Sequence, residues 1–184
     1  MRSARLAARA RRLLRRFSND KRGVSAVEFA MLLPLMVTLY IGGVEVSQAI
    51  AVDRKVTLVS RTVGDLVAQS TSVNATDMTN ILNAAASVVL PYSSSLIKVT
   101  VSRVDVDGNG VAKVIWSKTR NGTVKSGTVT LPAALNTANT SVIWANSEYV
   151  YTPAMGYVIT GNLTLTDQIY MRPRLSDTVT CNAC

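Results

Sequence analysis

From Val24 to Val44 the chain reads VSAVEFAMLLPLMVTLYIGGV, an apolar run in which Glu28 is the one side chain ionised at neutral pH. A helix of about 21 residues rises about 30 Å, the thickness of a bilayer's hydrocarbon core. The pattern therefore predicts a transmembrane helix over 24–44. Beyond Val44 the sequence turns amphipathic. Ala49, Val52, Val56, Val59, Val63 and Leu66 recur at alternating intervals of three and four, and Asp53, Arg54, Lys55, Arg61 and Asp65 fill other positions. Such spacing puts one apolar seam along a helix. Joined to the span, it predicts a single helix over 24–69, about 70 Å long by its rise per residue, with a kink expected at Pro34.

A Ser-, Thr- and Asn-rich turn at 70–75 precedes a second predicted helix, with Thr76 as its cap. Met78, Ile81, Leu82, Ala85, Val88 and Val89 form its apolar face, and Pro91 and the serines at 93–95 end it. The signal then becomes β. Residues 97–106 and 111–119 flank Asp107-Gly108-Asn109-Gly110, Asn121-Gly122 introduces 123–131, and 142–152 and 157–165 are further strand candidates. The expected fold class is α+β: a long N-terminal helix, and a second helix packed on a meander of four or five antiparallel strands. The predicted organisation is a basic segment 1–23, a long helix 24–69, and a globular domain 70–184.

Charge sharpens this picture. The 184-residue chain has a formal net charge of +9, but Arg2, Arg5, Arg9, Arg11, Arg12, Arg15, Arg16, Lys21 and Arg22 precede the span, opposed only by Asp20. The rest is nearly neutral. A dense cationic flank orients a span with that end in the cytoplasm and binds anionic lipid, so the domain after the span is expected in the periplasm. A nucleic-acid tail would interleave aromatics with the basic residues, and here Phe17 stands alone; no nucleic-acid partner is expected. A mitochondrial presequence would not lead straight into a full-length span, and Arg15-Arg16-Phe17 lacks the surroundings of a twin-arginine export signal. The chain contains no histidine. That excludes Ser-His-Asp and Cys-His nucleophiles and histidine-ligated zinc, so neither an enzyme nor a cofactor is expected.

Glu28 is the unusual residue, because an ionisable group in a membrane helix is costly and ordinarily paired. If the chain were cut after Gly23, the new α-amino group of Val24 would lie about one helical turn from Glu28, on its own chain or a neighbour's. Arg22-Gly23, Ala26-Val27-Glu28-Phe29-Ala30, Leu33-Pro34 and the second acid of Gly43-Val44-Glu45 together resemble the signature of TadE-like pseudopilins of the bacterial tight-adherence pilus, relatives of type IV pilins. The detailed likeness covers roughly residues 22 to 50. It implies a pilin-like fold, cleavage by a prepilin peptidase between Gly23 and Val24, and extraction from the inner membrane into or beside a pilus. It makes Glu28 the assembly residue, recognising a neighbour's amino terminus, with Phe29 beside it. The implied partners are the peptidase, other pilins and pseudopilins, and the inner-membrane secretion machinery. Two other outcomes stay open: no cleavage, which would leave a single-pass periplasmic adhesin or scaffold, and signal-peptidase cleavage after Ala49, where Ser47-Gln48-Ala49 offers small residues.

Three further features carry candidate chemistry. Asp105, Asp107 and Asn109 with Gly110 match the first half of a calcium loop, but the twelfth position is Trp116 rather than a bidentate acid; a hairpin turn and a weak calcium site compete. Cys181 and Cys184 form a CxxC with no predicted helix after it. A local disulfide in an oxidising periplasm is the leading expectation, against free or intermolecular thiols and a remote thiol-disulfide enzyme. Alternation places Tyr149 and Tyr151 on one strand face and Glu148 on the other, leaving Glu148 to pair with Arg172 or Arg174 or to stay solvated.

Overall fold

The structure, a computed structural model, describes residues 22–182. The basic leader up to Lys21 lies outside the described residues. The chain divides into two compact units, Met1–Val44 and Glu45–Cys184, and each is taken by itself.

The described part of the first unit is the start of helix α1, Arg22–Ala68, 47 residues long, which contains Pro34 without ending there. The hydroxyl of Thr38 donates to the Pro34 carbonyl at 2.8 Å. Large apolar side chains are exposed all along this stretch, from Val24 and Val27 through Leu35 and Met36 to Leu39 and Tyr40. No water-soluble domain leaves such a surface bare, whereas a bilayer covers it.

In the second unit, α1 turns its seam inward. Ala49, Val52, Val56, Val59, Val63 and Val67 are buried. The sequence pattern ends this seam at Leu66, but Leu66 is 39% exposed and Val67 takes the inner position. A helix of 3.6 residues per turn drifts against a 3.5-residue repeat by about 0.1 residue per turn, and five turns on from Ala49 the inner position falls on residue 67. At the end of α1 the Ser70 hydroxyl donates to the Leu66 carbonyl (3.1 Å) and the Arg174 N–H to the Ala68 carbonyl (2.8 Å), occupying acceptors the helix cannot use.

Strand β1 (Ser72–Asn74) leads into α2 (Ala75–Ser87). The cap is Asn74 rather than Thr76: its side chain accepts from the Asp77 N–H, and the Asp77 carboxylate accepts from the Asn74 N–H. This reciprocal pair satisfies two donors at once, which a cap at Thr76 could not match. The helix buries Met78, Leu82, Ala85 and Ala86 and ends at Ser87, ahead of Pro91.

Five antiparallel strands follow: β2 (Ile97–Val106), β3 (Ala112–Arg120), β4 (Thr128–Val129), β5 (Thr140–Tyr151) and β6 (Leu163–Met171), in spatial order β4-β3-β2-β5-β6. The α+β class expected from the sequence is the class observed. The long β4–β5 connection crosses the sheet, so that β2 lies between β3 and β5. Strand β7 (Thr180–Asn182) pairs in parallel with β1, a two-stranded sheet the sequence pattern did not reveal. Two expected strands are shortened. Of 123–131 only β4 pairs, because the Lys125 N–H donates to Ser117 Oγ (2.9 Å) and Gly127 adopts φ +77°. Of 157–165 only the end from Leu163 pairs, for a reason given below.

One sheet face, carrying Ile97, Val99, Val101, Ile143, Ala145, Tyr149 and Tyr151, packs with α1 and α2 in the main core. The opposite face builds a smaller cluster from Val104, Val106, Ala112, Val114, Leu131 and Val142. Beside it Trp144 stacks on Tyr170 with ring centroids 5.8 Å apart. At Gly64 the helix packs against the sheet with no room to spare: an added Cβ would sit 3.4 Å from side-chain atoms of Ala145, Ile169 and Met171. A small polar ladder crosses the same interface. Ser147 Oγ donates to the Val56 carbonyl (2.8 Å) and lies 2.5 Å from Ser60 Oγ, so neither buried hydroxyl is left without a partner.

Candidate membrane anchor and assembly segment

Gly23 and Val24 lie in α1 at the edge of the described residues. Nothing lies within 4 Å of the position a Gly23 side chain would take. Glu28 is exposed, and Phe29 is 60% exposed. Helical spacing puts Glu28 four residues from Val24, on the same face and one turn along. If an amino group existed at Val24, it would stand at the positive end of the helix dipole with a carboxylate within a turn of it. The predicted processing and assembly residues thus share one accessible stretch of helix with no competing intramolecular packing among the described residues.

At the other end of the apolar run, Glu45 is the first residue of the second unit and is buried. Its Oε1 accepts from the Tyr157 N–H at 2.8 Å, and its Oε2 from the N–H groups of Val158 (2.9 Å) and Ile159 (3.0 Å). These three consecutive amides form an anion-binding concavity of backbone dipoles. They also explain the missing strand: N–H groups spent on Glu45 cannot enter a β ladder, so pairing resumes only at Leu163. A turn further along α1, Gln48 Oε1 accepts from the Tyr151 hydroxyl at 3.3 Å. The N–H groups of Ile159 first, then Tyr157 and Val158, hold the Glu45 carboxyl below the usual carboxylate range, against an opposing effect of burial. Burial pushes the Tyr151 phenol up.

The sign of the Glu45 shift sets a pH dependence. A lowered folded-state pKa gives stability that is fully present above the ordinary value of about 4.3 and is lost as pH falls through the folded value. The stability difference between the native chain and Glu45→Gln is therefore expected to be steady from neutral pH down to about 5 and to shrink as pH falls below about 4. Thermal melts of the two proteins at several pH values measure it. A difference independent of pH would show that the ionised form of Glu45 is not what the loop holds.

The remaining candidates resolve as local structure. Asp107 Oδ1 accepts from the N–H groups of Asn109 (2.9 Å) and Val111 (2.8 Å), and Gly110 takes φ +79°, a left-handed conformation suited to glycine. Asp105 is bound to the guanidinium of Arg103. The two carboxylates are thus engaged in a β2–β3 hairpin, and no group of three His, Cys, Asp or Glu residues is placed to hold a metal among the described residues. Glu148 pairs with Lys98 (2.6 Å), not with Arg172 or Arg174, because Lys98 is its cross-strand neighbour; Arg174 pairs instead with Asp65 of α1 (2.7 Å). Cys181 lies in β7 opposite Val73 and is not a free thiol. Cys184, its expected partner, lies outside the described residues.

Residues 23–65 match the family model described as TadE-like protein. No curated protein and no solved structure matches the chain.

Proposed function

Its TadE-like segment, residues 23–65, relates this chain to the tight-adherence pilus, and from that premise we propose that it works as a minor pseudopilin, a non-enzymatic component of pilus assembly. In this reading the precursor is held in the inner membrane by residues 24–44, with its basic leader in the cytoplasm and the domain from Glu45 onward in the periplasm. A prepilin peptidase cuts between Gly23 and Val24, and the leader's positive charge leaves with it. The mature subunit is then a nearly neutral domain on an apolar stalk. Glu28 engages the new amino terminus of a neighbouring subunit, with Phe29 beside it, and other pilins and the inner-membrane secretion machinery are its partners.

The observation that supports this reading best is the coincidence, on one stretch of helix unpacked among the described residues, of the Gly23–Val24 pair, an acid one turn along and an apolar run of membrane length. An uncleaved adhesin needs the last of these and has no use for the other two. Co-expression of the full chain with a prepilin peptidase is expected to convert it to a form shorter by the leader, and a Gly23→Leu variant is expected to stay long. A chain left unshortened by an active peptidase would return it to the class of uncleaved anchored proteins.

A further inference from the structure

The loop between β5 and β6 exposes Met155 (70%), Tyr157 (60%) and Val158 (49%) side by side. From Tyr149 to Thr166 there is no charged residue. Apolar exposure at a loop tip is unremarkable by itself. What gives this loop a location is Glu45, whose carboxylate binds the amides of Tyr157, Val158 and Ile159. Glu45 directly follows Val44, the last residue of the run read as the membrane span, so the loop is tied to the first residue of the chain past that run.

We propose that this loop is a second membrane contact, with Met155, Tyr157 and Val158 entering the interfacial layer of the bilayer and Glu45 holding them there. The occupant of the exposed patch is lipid, for three reasons. Tyrosine favours the membrane–water boundary, where its ring is in apolar surroundings and its hydroxyl in water. A backbone approaching lipid needs its N–H groups satisfied within the protein, and three consecutive amides of this loop already are. The lack of charge over 149–166 removes the largest cost of bringing a protein surface to the acyl boundary. Val46 and Ile50, exposed on α1 just past Glu45, extend the apolar surface at the same level of the chain. The inference rests on the reading of 24–44 as a span.

The test places a photoreactive benzophenone side chain, one position at a time, at Met155, Tyr157, Met36 and Asn109 of the full chain in phosphatidylethanolamine–phosphatidylglycerol vesicles. Lipid adducts are then counted by mass spectrometry. Adducts are expected at positions 36, 155 and 157 and not at 109, in the β2–β3 turn. Adducts at 36 alone would overturn the loop contact and leave the span intact, whereas their absence at 36 would overturn the span itself. Crosslinks from 155 or 157 to a second copy of the chain in place of lipid would also overturn the proposal. Glu45→Ala is expected to lower the adducts at 155 and 157 several-fold while leaving those at 36 unchanged; undiminished adducts at the loop would remove Glu45 as the peg.

Discussion

Glu28→Ala is expected to leave cleavage after Gly23 largely intact and to lower surface piliation by at least about tenfold, the loss that follows when a charged group in an apolar segment is deprived of its partner. The two effects are expected to separate because the proposed scissile bond lies five residues before Glu28, whereas assembly, in the proposed reading, needs an acid that can meet a neighbour's amino group in a medium that screens charge weakly. Glu28→Gln keeps the shape and removes the charge, so it is expected to fail in assembly as Glu28→Ala does. Glu28→Asp keeps the charge on a shorter arm and is expected to retain part of the function. Immunoblots for processing, with counts of pili, measure both effects. Normal piliation in Glu28→Ala would remove Glu28 from assembly.

Val56→Asp is expected to abolish the cooperative thermal transition of the domain from Glu45 onward. Val56 is fully buried at the contact between α1 and the sheet, and its carbonyl accepts from Ser147 Oγ. A carboxylate there has no cation within the main core cluster to meet it. Burying an unpaired charge costs several kcal/mol, a large part of the ~5–15 kcal/mol by which a domain is ordinarily stable. Two residues on, Leu58 is 48% exposed, and Leu58→Asp is expected to shift stability by no more than about 0.5 kcal/mol, as surface substitutions commonly do. Circular-dichroism melts of the full chain in detergent compare the two. Similar melting temperatures would mean that the seam of α1 does not pack against the sheet.

The long helix was legible in the sequence because its signal is repeated many times: an apolar run of bilayer length, then five intervals of three and four. Its inner end was misjudged by one residue, Leu66 for Val67, because helical drift accumulates where no marker interrupts the pattern. The α2 start shows how two caps compete. Asn74 and Thr76 both have suitable side chains, and only Asn74 has an acid at the right distance to complete the reciprocal bond. Strands β2, β3 and β5 were legible within two residues at each end, since alternation and turn residues agree. Strands β1 and β7 were not, because three residues are too few to show a period and their pairing joins segments more than 100 positions apart.

The residues proposed for processing and assembly, Gly23, Val24, Glu28 and Phe29, lie within seven positions, and their resemblance to the pseudopilin signature is what singles them out. Glu45 stood out in the sequence as a second acid, yet its role was hidden. The chemistry that explains it is three backbone amides, which no side-chain pattern announces, and the same amides turned an expected strand at 157–162 into a loop. The pairing of Glu148 had the same obstacle. Lys98 became its partner through the register of β2 and β5, and register cannot be read from one strand alone.

The mass and N-terminal sequence of the protein recovered from the membrane of cells that carry the assembly machinery bear most directly on its proposed role. A chain beginning at Val24, lighter by residues 1–23, is the predicted result. A chain still beginning at Met1, or one beginning at Ile50 without its membrane span, would contradict it.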